Sequence, residues 1–120
     1  MTNFVSEIKK ITRLDKRFQE EAYSFVMECL HYYNQKNEIK PGQHITAKDL
    51  LEGIKDYALQ SFGPMALFTL NSWGLSETKD IGIIVFNMID SGLMGKTEND
   101  SLEDFSNIFE FKDVFSEDPT

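Results

Sequence analysis

The side chains with chemistry to offer are few in this 120-residue chain: one cysteine, two histidines and twenty carboxylates. Cys29 falls among Phe18, Ala22, Phe25, Val26, Leu30 and Tyr33, which recur at helical spacing and form one broad apolar stripe. A thiol in that setting is a small buried apolar group, whereas a nucleophile needs a basic neighbour to lower its pKa. His31 lies off the stripe beside Tyr32, as a solvated surface histidine. No serine sits in a nucleophile elbow, and there is no P-loop or dinucleotide fingerprint. A single cysteine also rules out an internal disulfide and a cysteine-based zinc cluster within one chain. The sequence therefore names no cofactor, no metal ligand and no catalytic residue.

The carboxylates need separate treatment. Residues 90–101 begin like a calcium loop, with Asp90 and Gly95 at positions one and six. Gly92, Met94 and Ser101 then fall where oxygen ligands, including the closing bidentate glutamate, are required, so that reading fails. A looser cation site among Asp100, Glu103 and Asp104 is the weaker form of the same idea. Glu77 and Asp80 stand in the first turn of a helix, where the helix dipole accounts for them. With twenty acids, some pair by chance, and a small enzyme with a carboxylate-lined site is kept only as a rival reading.

Charge is placed unevenly along the chain. Of the net −8, residues 90–120 carry −7, from nine acids against two lysines. The start leans the other way, with Lys9, Lys10, Arg13, Lys16 and Arg17. An acidic whole disfavours nonspecific nucleic-acid binding, which depends on phosphate neutralisation. No apolar run approaches the roughly 18 residues of a membrane span, and the first residues lack the pattern of a secretory signal, so a cytoplasmic home is expected.

Periodicity then supplies the elements. Residues 3–14 read as a short amphipathic helix around Phe4, Ile8 and Ile11. A second helix is expected from Asp15 to about Gln35, carrying the Cys29 stripe. Pro41 and Gly42 mark a loop. Thr46 and Asp49 form a capping pair for a third helix that ends at Gly63. The stretch after Pro64, with Met65, Ala66, Leu67, Phe68, Leu70 and Trp73, is apolar nearly all round and reads as the buried centre, stopped by Gly74. Ile81, Ile84, Val85, Met88 and Ile89 give the fifth helix one apolar face. Gly53 and Gly82, inside helices, mark expected helix crossings.

The fold class that follows is mainly α: one compact domain of about five helices over residues 1–111, with a small hairpin admitted between residues 93 and 111. Residues 112–120 read as an acidic tail outside it, whose deletion should leave the fold intact. The helices flanking residues 74–76 invite a winged-helix comparison, but Glu77, Asp80 and Asp90 oppose groove reading. The favoured function is a non-catalytic module that binds a protein partner. Its candidate contacts are Phe105, Phe109, Phe111 and Phe115 in the acidic aromatic segment, or Lys9, Lys10 and Arg13 on the first helix. The aromatics have a second reading, in which they return to cap the core. A winged-helix-like nucleic-acid-associated protein is the other rival.

The runs HITAKDLLEGIKDYALQSFGPMA and WGLSETKDIGIIVFNMIDSGLMGKTENDSLEDF, with the closing FEF, resemble an uncharacterised family of small bacterial proteins known mainly from planctomycetes and verrucomicrobia. The resemblance covers residues 18–115 and implies a bacterial cytoplasmic protein. It transfers no catalytic or binding residue. The family pattern has an aromatic residue where Ile81 precedes Gly82.

Overall fold

The computed structural model describes residues 3–41, 43, 45–95 and 101–115. Helix α1 (Phe4–Leu14) begins where the Asn3 carboxamide oxygen accepts from the Ser6 N–H at 2.7 Å, and it buries Ile8 and Ile11. The chain does not pass straight into the next helix. The Asp15 carboxylate accepts from the Arg17 backbone N–H at 3.1 Å and from its guanidinium, which holds the connection as a loop. Helix α2 (Glu20–Lys36) thus starts later than the apolar stripe predicts, and Phe18 reaches the core from the loop.

Helix α3 (Ala47–Phe62) opens on the capping box foreseen at Thr46: its hydroxyl accepts from the Asp49 N–H, and the Asp49 carboxylate accepts from the Thr46 N–H, both at 3.1 Å. Helices α2 and α3 approach closely at Gly53, where a β-carbon would stand 3.0 Å from Tyr33 Cβ. The expected crossing is there. A single 3-10 turn (Gly63–Met65) containing Pro64 then leads into α4 (Ala66–Ser72). This helix is not the buried centre that its composition suggested. It has only seven residues, buries Ala66 and Leu70, and leaves Phe68 68% and the preceding Met65 53% exposed.

Helix α4 stops in a Schellman motif: the Leu75 N–H reaches the Leu70 carbonyl at 3.0 Å and the Gly74 N–H reaches that of Asn71 at 3.0 Å. Gly74 has φ +95°, and Leu75 beyond it is fully buried. Helix α5 (Thr78–Asp90) closes the same way at Gly92 and Leu93. Its apolar face is the predicted one, with Ile81, Ile84, Val85 and Met88 buried.

The C-terminal segment departs most from expectation. Among the described residues there is no strand, and in place of a hairpin the chain forms a second 3-10 turn (Leu102–Phe105) and a last turn of helix, α6 (Phe111–Phe115). Residues 96–100 of the expected hairpin and 116–120 of the expected tail lie outside the described residues. Phe105, Phe111 and Phe115 are 2%, 4% and 0% exposed and join one core cluster with residues from every helix. The boundary at residue 111 therefore falls inside α6. A buried hydroxyl, that of Thr78, fastens this segment by donating to the Phe105 carbonyl and accepting from the Ile108 N–H at 3.2 Å.

Gly82 marks the approach of this segment rather than a crossing of two long helices. A β-carbon there would lie 2.7 Å from Phe105 Cγ and 2.8 Å from its Cβ. Alanine gains about 1 kcal/mol in helix propensity over glycine, but overpacking against a pinned ring costs about 1–3 kcal/mol. Gly82→Ala is expected to lose stability in urea denaturation. In a Phe105→Ala background, where only the β-carbon contact remains, that loss is expected to shrink by at least about 1 kcal/mol. An unchanged loss would place the clash elsewhere.

Candidate partner-binding surface

The core face of α2 is turned toward α3 and α5, which leaves a second face of α2 at the surface. Met27, Glu28, His31, Tyr32 and Gln35 share it at spacings of one, three and four, as neighbours on a helix must. With Tyr57 of α3 they line an open groove of about 340 Å³. Glu28 is the only carboxylate among these lining residues. That composition does not match a carboxylate-lined catalytic site, where two acids must converge.

The groove's floor is aromatic. The rings of Tyr32 and Tyr57 lie 5.2 Å apart at 47°, and Tyr57 in turn meets Phe25 at 5.8 Å. Phe25 continues the contact to Phe62 at 5.6 Å and Trp73 at 5.4 Å. One chain of rings thus runs from the exposed face of α2 to the start of the α4–α5 turn. Trp73 is half-buried within it, packed edge-on to Phe62. Polar groups tie the rings at the rim. The Tyr57 hydroxyl donates to Glu28 Oε1 at 3.4 Å, and Gln60 Nε2 donates to the Tyr32 hydroxyl at 3.3 Å. The Lys36 ammonium stands 5.7 Å over the Tyr32 ring and pairs with Asp56 at 3.1 Å. The Asp56 carboxylate holds this ammonium's pKa above its usual value.

The residues singled out in the sequence are distributed differently. Phe105, Phe111 and Phe115 are core residues, and Phe109 packs on Phe115 at 5.8 Å, so these rings are not presented as one docking face. The physical reason is their mutual packing: Phe111 meets Phe115 edge-to-face at 5.1 Å against α3 and α4. Three of the five basic residues at the start are held in surface ion pairs. Lys9 pairs with Glu20 at 3.3 Å, Lys10 with Glu7 at 3.1 Å and Arg17 with Asp15 at 2.6 Å. Arg13 is exposed on α1, without the continuous cationic stripe a nucleic-acid interface requires.

The remaining reactive groups are committed to structure. Cys29 is fully buried, and burial pushes its thiol pKa well up, away from thiolate chemistry. The Asp80 carboxylate caps α5 by accepting from the N–H groups of Ser76 and Glu77 at 2.9 and 3.2 Å. Asp104 accepts from the Ser101 N–H at 2.7 Å, and Asp100 of the looser cation site lies outside the described residues. Among the described residues no three His, Cys, Asp or Glu side chains converge as a metal site, and no helix is long and apolar enough to cross a membrane.

Asp15 and Asn87 form a part-buried polar joint between distant parts of the chain. Asn87 Nδ2 donates at 3.0 Å both to Asp15 Oδ2 and to the Tyr23 hydroxyl, locking the α1–α2 loop to α5. Hydrogen bonding from Arg17, with help from Asn87 and against partial burial, holds the Asp15 carboxyl well below the usual carboxylate range. A depressed folded-state pKa means that this stabilisation is complete above the unfolded value near 3.9 and is lost as pH falls toward the folded one. Asp15→Asn is expected to cost about 1 kcal/mol near neutrality, with the deficit shrinking in melts taken from about pH 5 to about pH 2. A deficit independent of pH would assign the cost to lost geometry instead of charge.

Compared with family models, with curated proteins and with solved structures, the chain matches none. Its function must therefore be argued from its own geometry. The groove residues Tyr32 and Tyr57 were not selected as site residues from sequence. Their signal was a second stripe of Met27, His31 and Tyr32 on α2, offset from the dominant one.

Proposed function

We propose that this protein is a non-catalytic protein-interaction module whose docking surface is the α2–α3 groove. The observation that carries this reading is the chain of rings from Tyr32 through Tyr57 to Phe25, whose outer two members are half-buried and line an open groove between α2 and α3. Tyrosines of this kind supply large contact area at low entropy cost and recur as energetic centres of interfaces. The surface thus replaces both the tail aromatics and the first-helix cations as the proposed contact. The proposed setting, from the resemblance of residues 18–115, is the bacterial cytoplasm.

The test is capture from bacterial extract on the immobilised chain, with wild type compared with Tyr32→Ser and with a control change, Lys48→Ser, on α3. Melting curves establish that each variant is folded. A partner then purified and titrated should lose about 30-fold in affinity against Tyr32→Ser, the effect of an aromatic interface centre, and little against the control. Equal binding by all three chains sinks the reading. Recovery abolished by nuclease would transfer the proposal to nucleic acid.

A further inference from the structure

We infer that the groove takes an arginine side chain from its partner, with the guanidinium laid on the Tyr32–Tyr57 rings and paired with Glu28. This rests on the groove being the docking surface and adds the chemistry of its occupant.

Three observations converge on a cation of that shape. The first is the ring pair itself, 5.2 Å apart and open on one side, since tyrosine faces attract cations through their quadrupole. The second is Glu28, an exposed carboxylate placed at the edge of the Tyr57 ring by the 3.4 Å contact from its hydroxyl. No cation among the described residues pairs with it, whereas Asp56, the residue preceding Tyr57, is engaged with Lys36. The third is the arrangement at the neighbouring edge. There Lys36 sits over the Tyr32 ring and against Asp56, so the protein already satisfies one cation by ring face and carboxylate together. In the groove a carboxylate, Glu28, again stands beside a tyrosine ring, that of Tyr57, and no cation among the described residues is paired with it.

Arginine fits better than lysine because its planar guanidinium stacks on a ring while its N–H fork remains free for a carboxylate. The groove, at about 340 Å³, lies at the lower end of ligand pockets and suits one or two side chains in place of a cofactor. A net charge of −8 adds attraction for a basic partner at long range.

The experiment uses the full chain with methyl-labelled methionine and two capped tripeptides, Gly-Arg-Gly and its citrulline counterpart, which keeps the shape and removes the charge. The arginine peptide is expected to shift the Met27 methyl resonance with a Kd of about 1 mM, and the citrulline peptide to shift it at least about fivefold less at equal concentration. Glu28→Gln, a surface change that leaves the core untouched, should weaken the arginine peptide about three- to tenfold. Equal response to citrulline, an unchanged Glu28→Gln titration, or shifts confined to other methionines would each overturn the assignment. If those failures occur while partner binding still depends on Tyr32, the occupant is wrong and the surface stands. If partner binding ignores Tyr32 as well, both are wrong.

Discussion

Replacing Phe115 with alanine is expected to destabilise the protein by about 3–5 kcal/mol, the range for emptying a buried aromatic site. The residue is fully buried, and its ring meets Phe111 at 5.1 Å and Phe109 at 5.8 Å. Helix α6 has five residues, too few for a helix to persist alone in water, so side-chain burial must hold it in place. A small domain has only about 5–15 kcal/mol in total, and the loss should lower the melting temperature by roughly 10–20 °C. Deleting residues 112–120, which sequence alone marks as dispensable, removes Phe115 and should do similar damage. Urea denaturation of the wild type, the point variant and the deletion checks this. Unfolding within about 1 kcal/mol of wild type would show that α6 contributes little and that the fold ends near residue 111.

Gly74→Ala is expected to cost about 2–5 kcal/mol, from two separable causes. The position has φ +95°, where an L-residue is disfavoured by about 1–2 kcal/mol. A β-carbon there would also lie 2.3 Å from the Arg17 carbonyl oxygen. That oxygen belongs to a backbone that cannot easily yield: the Gln19 N–H bonds the Trp73 carbonyl at 3.0 Å, and Asp15 holds the Arg17 N–H at 3.1 Å. Overpacking of this kind costs about 1–3 kcal/mol. Gly92→Ala isolates the first cause, because Gly92 has φ +85° with nothing among the described residues within 4 Å of the added carbon. Gly74→Ala should therefore be the more damaging by at least about 1 kcal/mol in paired denaturation curves. It should also alter tryptophan fluorescence, since Trp73 is the adjoining residue. Equal costs would mean that the loop after α1 moves aside freely.

Several features of this molecule were legible without coordinates because they depend on contacts between residues close in sequence. Helices α1, α3 and α5 follow from apolar spacing, the Thr46 and Asp49 box from reciprocal hydrogen bonds three residues apart, and the stop at Gly74 from its backbone freedom. The burial of Cys29 followed from its place in a single stripe. The start of α2 was misjudged because a side-chain contact between Asp15 and Arg17 competes with the helix, and hydrophobic periodicity does not register it. The exposure of Phe68 and Met65 was missed for a different reason, since an apolar composition says how much must be buried and not which side finds a neighbour.

Tertiary structure decided the rest. Four phenylalanines among carboxylates are equally compatible with a free motif and with a cap on the core. Packing of Phe105 on Gly82 and of Phe111 and Phe115 on α3 and α4 selects the cap, through contacts more than twenty residues apart in sequence. A contact eleven residues apart, between α1 and α2, pairs Lys9 with Glu20 and leaves fewer unpaired cations on the first helix than its composition suggests. The groove exists only because α2 and α3 cross at Gly53, bringing Tyr57 beside Tyr32 from 25 positions away. Because spacing and composition are local properties, sequence by itself determined most of the helices and how much apolar surface must leave water. Only the fold decided which aromatic rings were left facing it, because burial depends on partners that local spacing does not name.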